Sequence, residues 1–270
     1  GNVLWHYQVT GKAIADAYES IKTADSRFAG ACFTSGSAGT MSAGDYLKEQ
    51  YPYAKLAVGE ALQCPTLLNN GFGGHRIEGI GDKHVPWVHN VKNTDMVIAI
   101  DDEDSQNLLR MFNTEPGHKY LREVAGVPQE TIDQLSLLGI SGIANVLCCI
   151  KFAKYYELTS ADVVATVATD SAEMYESRIT ELDEQQGKYS LLSAARDFSE
   201  HLRGVRTDSM QELTYADRKR VHNLKYYTWV EQQGKTYEEI NAQWYDRDYW
   251  TGIHEQAAEL DKLIDAFNAQ

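Results

Sequence analysis

The sequence predicts an α/β protein, a parallel sheet sandwiched between helices in three layers, followed by an α-helical C-terminal extension. Three observations carry this. Short apolar segments alternate with helix-length segments as far as about Arg178; a small-residue loop joins the first strand to its helix; and from Thr180 to Gln270 no segment reads as a strand. Such alternation implies parallel pairing through right-handed crossovers, with ligands received at the carboxyl ends of the strands.

Each element has a local reason. Gly11 to Ile21 reads as a helix opened by Thr10 as N-cap. The strand Phe28 to Thr34, the helix Met41 to Gln50 and the strand Lys55 to Glu60 follow. After a glycine-rich loop, DMVIAI (Asp95 to Ile100) has the continuous apolar pattern of a buried strand. Asp101 and Asp102 then cap a helix that turns Leu108, Leu109, Met111 and Phe112 inward. Gly139 to Tyr156 reads as another helix and Asp162 to Ala168 as another strand. The expected division is residues 1–179 for the α/β part and 180–270 for the extension.

Composition narrows the function classes. With 270 residues, 43% of them hydrophobic, the chain can bury a substantial core. Its 39 acidic and 25 basic side chains give a formal charge of −14, which argues against non-specific binding to nucleic acid or anionic membrane. No apolar run approaches the roughly 20 residues of a membrane helix, and no basic-then-apolar leader opens the sequence, so a cytoplasmic location is expected.

The loop Gly36, Ser37, Ala38, Gly39, Thr40 is the most informative stretch. Its backbone N–H groups can converge on an anion while the following helix adds the positive end of its dipole. An ordinary strand-to-helix turn that uses glycine for steric reasons is the other reading. Ala38 is compatible with such a loop if it keeps a negative φ.

Other chemistry-bearing residues are scattered. Cys32, Cys64, Cys148 and Cys149 lack zinc-site spacing and read as free thiols, with Cys148 and Cys149 in an apolar helix that disfavours the thiolate. The histidines form no metal-ligand pattern. Arg218, Lys219 and Arg220 with Tyr226, Tyr227 and Trp229 read as a solvated face opposite a packing stripe, in an extension suited to dimerisation or to clasping the α/β part.

Several strings together resemble one family. GSAGTMSAGDYL followed by AVGEA, HRIEGIG, LLGISGIAN and DVVATVATDSAEMY occur in the order seen in the pyridoxal-phosphate enzymes of fold type II, in the cysteine synthase and cystathionine β-synthase group. The opening NVLWHYQVTGKAI is similar to the segment that precedes the phosphate loop in that group. The resemblance runs from Asn2 to about Tyr175, the second half of such an enzyme. It implies that Gly36, Ser37, Ala38, Gly39 and Thr40 hold the phosphate of pyridoxal 5'-phosphate. It also implies that Gly79 and Gly81 let the backbone lie near the cofactor, and that Ser141 bonds the pyridine nitrogen. A neutral serine there favours β-elimination or β-replacement on an amino acid.

The sequence also departs from the family. Ala38 stands where glycine is usual, Gly142 and Ile143 change the order after Ser141, and Ala172 and Met174 alter the string DSAEMY, which suggests an unfamiliar substrate. No Schiff-base lysine matches: the only Ser-x-Lys, at Ser20 and Lys22, falls before the phosphate loop and reads as surface. The chain starts at Gly1, as expected of a fragment, processed product or tag remnant. The lysine and the substrate-carboxylate loop are then expected on an N-terminal half or partner chain, in a homodimer. A dinucleotide-binding oxidoreductase domain, with Glu60 gripping a ribose, is one alternative; a non-catalytic regulatory subunit is another.

Overall fold

The structure, a computed structural model, describes residues 1–269. Its centre is a five-stranded sheet of order β4-β1-β2-β3-β5, with β1 at Arg27–Thr34, β2 at Lys55–Ala61, β3 at Met96–Ile100, β4 at Asp162–Ala165 and β5 at Met210–Glu212. The first four run parallel. Gly30 faces Lys55 across β1 and β2, and Ala57 faces Met96 across β2 and β3. The predicted strands are therefore present, β4 ending three residues early.

Side-chain alternation along the strands sorts the core into two faces. Cys32, Ala57, Met96, Ile98 and Ile100 point to one side. Ala31, Phe33, Leu56, Val58 and Val97 point to the other. Helices α1 (Lys12–Ile21) and α2 (Met41–Gln50) cover the second face, and α3 (Asp102–Phe112) and α4 (Ile140–Tyr155) cover the first. Asp101 caps α3 by accepting the Glu103 amide at 2.8 Å, as the sequence predicts. Residues such as Phe33 and Ile98 are fully enclosed, and each contributes about 1.5–3 kcal/mol of transfer free energy.

Two expectations are corrected here. Thr10 is not an N-cap: helical backbone runs from Asn2–Trp5 through a π-turn, His6–Gly11, into α1. The Thr10 hydroxyl instead pairs with His6 Nδ1 at 2.9 Å. The segment after Thr180 is not wholly helical either. Its strand β5 pairs antiparallel with β3, Met96 opposite Glu212, and closes a sheet edge that would otherwise expose unpaired backbone groups.

The rest of the extension clasps the α/β part. Helices α5 (Tyr215–Asn223), α6 (Tyr237–Tyr245) and α7 (Tyr249–Asn268) complete it. Asp95, at the start of β3, accepts Lys48 Nζ at 2.7 Å, the Leu56 amide at 2.8 Å and Arg218 Nη2 at 2.8 Å. Arg220 reaches the Leu67 carbonyl and the Asn70 side chain. Arg218 thus holds α5 to the start of β3, and Arg220 holds it to the turn Thr66–Asn69 after β2, rather than forming a solvated face. Lys225 is fully buried and donates to the carbonyls of Trp87 and His89, both at 2.8 Å, and to Gln243 Oε1 at 2.6 Å. No helix among the described residues is long and apolar enough to cross a membrane.

Candidate functional site

The site forms at the carboxyl end of β1. Ser35 donates to the Gly59 carbonyl at 2.9 Å, keeping the chain in register one residue beyond the strand, and residues Gly36 to Thr40 then turn into α2. The amides of Met41, Ser42 and Ala43 donate back to the carbonyls of Ala38, Gly39 and Thr40 at 3.2, 3.2 and 3.0 Å. Those of Gly36, Ser37, Ala38, Gly39 and Thr40 find no protein acceptor among the described residues. Consecutive unpaired N–H donors at the start of a ten-residue helix suit a phosphate, because the donors and the helix dipole favour the same charge. Asn2 braces the turn, donating to Ser37 Oγ at 3.3 Å. A Cβ at Gly39 would lie 2.4 Å from Asn2 Nδ2, so a larger residue here would displace the Asn2 side chain from the turn.

Ala38 overturns an expectation: its φ is +60°, in the left-handed region. The turn imposes this geometry whatever residue occupies it, and an L-residue there costs about 1–2 kcal/mol. The methyl group is 1% exposed and packs in the second-face core, which offsets roughly 0.8 kcal/mol of that strain.

The glycine-rich segment closes over the loop. Gly81 donates to the Ser35 carbonyl at 2.9 Å. Gly79 and Gly81 have φ of +85° and +82°, and a Cβ built on Gly36 would sit 3.4 Å from the Gly79 carbonyl oxygen. A Cβ on Gly79 itself would meet nothing within 4 Å, so the backbone there borders open space, as a flat ligand lying against it needs.

Ser141 sits in the first turn of α4 and is 5% exposed. One turn further along, on the same face of the helix, Asn145 accepts the Thr34 amide at 2.7 Å and donates to the Val167 carbonyl at 2.9 Å. The spacing of four residues therefore turns Ser141 toward the same end of β1 as the loop. Sequence reading missed Asn145, although its position four residues after Ser141 is a usable signal. The string DSAEMY packs against this turn: Gly139 donates to the Asp170 carbonyl at 2.9 Å, and Asp170 accepts the Tyr175 hydroxyl at 2.6 Å.

Of the remaining candidates, Glu60 lies beside the loop, lining one small pocket with Ser35 and Gly36, and the others lie away from it. Glu60 is 3% exposed, and its two carboxylate oxygens accept the Leu67 and Leu68 amides at 2.9 Å each. Burial raises its pKa to about 7, and a carboxylate committed to backbone is not offered to a ribose. Lys22 lies beyond the C-terminus of α1, before the amino end of β1 and so at the opposite end of that strand from the loop, and pairs with Glu19 at 2.5 Å. The four cysteines are free, and burial holds the Cys148 thiol well above its usual range. Among the described residues no three metal-ligating side chains converge.

Comparison with known proteins agrees with the fold. No family model matches the chain. A cysteine synthase of Staphylococcus aureus is 28% identical over 171 residues, 63% of this chain and 47% of that protein. A hydrogen sulfide-producing enzyme of Fusobacterium nucleatum, 24% identical, shares the fold with a TM-score of 0.51 over 72% of this chain and 51% of that one. The cysteine synthase of Entamoeba histolytica, 19% identical, does so with a TM-score of 0.53 over 74% and 51%. The chain spans about half the length of the curated relatives it matches.

Proposed function

We propose that this chain, a relative of the cysteine synthases of fold type II, forms the phosphate-binding half of a pyridoxal-phosphate enzyme. The reaction we assign to the complete enzyme is elimination or replacement of a β-substituent on an amino acid. The single observation that carries the reading is the row of unpaired amides from Gly36 to Thr40 at the start of α2, closed over by the Gly81–Ser35 hydrogen bond. Its donors fit a phosphate dianion, and the open face at Gly79 fits a planar ring.

When bound, the cofactor supplies an electron sink for the carbanion formed at the α-carbon. This chain's own residues bind and orient it. The amides of Ser37, Gly39 and Thr40 and the hydroxyls of Ser37 and Thr40 would hold the phosphate; the backbone at Gly79 would let the ring lie close; the Ser141 hydroxyl would bond the pyridine nitrogen without charging it. Asn145 fixes the distance between α4 and β1 and so positions Ser141. The proton taken from the α-carbon needs a base; Lys22 is exposed at the opposite end of β1, and Lys225 is committed to buried acceptors. On the resemblance to the fold type II enzymes, we assign the base and cofactor-anchoring lysine to a segment outside this sequence, on the same polypeptide or on a partner.

The test uses the native protein with whatever chain accompanies it. Borohydride reduction followed by peptide mapping should place labelled cofactor on a lysine outside residues 1–270. Label on a lysine of this chain refutes the assignment, and native protein that neither contains nor takes up the cofactor refutes the proposed function in favour of a regulatory subunit.

A further inference from the structure

A second polar cavity lies where the extension meets α2. It has a volume of about 420 Å³ and is bordered by Asp45, Glu49, Asn90, Lys92, Arg247 and His254, with Trp250 as an apolar wall. Asp45 and His254 are buried to 6% exposure each. Asp45 Oδ1 accepts Asn90 Nδ2 at 3.2 Å and Asn93 Nδ2 at 2.5 Å. Its Oδ2 accepts no hydrogen bond and stands 3.7 Å from His254 Nε2. His254 Nε2 and Asn90 Oδ1 are themselves buried without a partner.

Unpaired buried polar atoms cost about 1–3 kcal/mol each, so several around one cavity call for a ligand. Burial pushes His254 down to about 4, so its imidazole is neutral at pH 7 and Nε2 can accept once the proton sits on Nδ1. In its ionised form Asp45 joins Asn90 Oδ1 and His254 Nε2 as a third acceptor through Oδ2, and a cation bound there offsets the burial that raises the carboxyl to about 7. A primary ammonium carries three donors and no acceptor, and it matches this set. On the rim, Lys92 and Arg247 are exposed and form no ion pair among the described residues, in a chain whose formal charge is −14. Two cations left free amid so many carboxylates suit a carboxylate brought by a ligand.

We propose that this cavity binds an amino acid as its zwitterion, the ammonium on Asp45, Asn90 and His254 and the carboxylate between Lys92 and Arg247. The site is separate from the Gly36–Thr40 loop and does not depend on how that loop is read. Asp45 nevertheless lies on α2 five residues beyond Thr40, about 7.5 Å along the helix axis, so the occupant touches the helix whose first turn forms the phosphate cradle. An amino acid bound there is placed to adjust cofactor binding.

The test is calorimetric titration of the protein, stripped of pyridoxal phosphate, with each of the twenty common L-amino acids. At least one should saturate. Its N-acetyl and carboxamide derivatives should each bind at least about tenfold more weakly, since each removes a charge-assisted contact. Arg247→Ala and Lys92→Ala, both at exposed positions, should weaken binding at least about tenfold while the melting temperature stays put; Ser141→Ala should leave it unchanged. The proposal is overturned if no amino acid saturates, if the blocked derivatives bind equally well, or if Ser141→Ala abolishes binding, which would place the amino acid at the cofactor site.

Discussion

Gly81 donates its amide hydrogen to the carbonyl of Ser35 at 2.9 Å, and this one bond fastens the glycine-rich segment over the turn that follows β1. Gly81 makes it with a φ of +82°. Gly81→Ala forces a methyl group into that conformation, 2.4 Å from His75 Nε2, at a cost of about 1–2 kcal/mol. Thermal unfolding should show a lower melting temperature, and pyridoxal phosphate should bind about tenfold more weakly. Unchanged affinity in a folded variant would separate the segment from the site.

Ala38 gives a prediction in which magnitudes oppose. Ala38→Gly relieves about 1–2 kcal/mol of left-handed strain, loses about 0.8 kcal/mol of methyl burial and adds roughly 0.5–1 kcal/mol of unfolded-chain entropy. Chemical denaturation should therefore show a change under about 1 kcal/mol. Ala38→Val adds a β-branch at positive φ within a packed core and should destabilise by more than about 2 kcal/mol.

Ser141→Asp would place a carboxylate where the pyridine nitrogen is assigned and should shift the absorbance of bound cofactor. Ser171, at the start of the turn Ala172–Tyr175 and on the string that packs against Gly139, is the matched control. A shift produced by Ser171→Asp and not by Ser141→Asp would move the contact to the Asp170 segment.

Asp45 predicts a pH dependence of stability. Burial raises its pKa from 3.8 to about 7, so the folded state holds a proton that the unfolded chain has already released. Its contribution is complete below about pH 4, declines as pH rises and is gone above about pH 7. Asp45→Asn keeps an acceptor for Asn90 and Asn93 and should flatten that part of the profile. Melting temperatures from pH 4 to 8 that run parallel in the two proteins would contradict the assignment.

Much of this was legible in the sequence, and what was not has physical reasons. The strands read out because β3 is buried on both faces and is uniformly apolar, and α2 matched to the residue because a small-residue turn fixes its start. The strand β5 is three residues long, Met-Gln-Glu, too short and polar to show a period. The roles of Arg218, Arg220 and Lys225 rest on partners more than 120 residues away, which local pattern does not encode. The order of GSAGT, HRIEGIG and GISG marked the candidate site. It did not reveal the left-handed Ala38, whose geometry is dictated by the closed loop, or the acceptors around Asp45, which converge only when α7 docks.

The central claim is that the amides from Gly36 to Thr40 hold the phosphate of the cofactor. The most direct measurement is a fluorescence titration of this chain with pyridoxal phosphate and, separately, with pyridoxal. The account predicts saturable binding of the phosphorylated form, displaced by inorganic phosphate, and pyridoxal at least about a hundredfold weaker, roughly 2.8 kcal/mol. Equal binding of the two forms, or binding that phosphate does not displace, would contradict it.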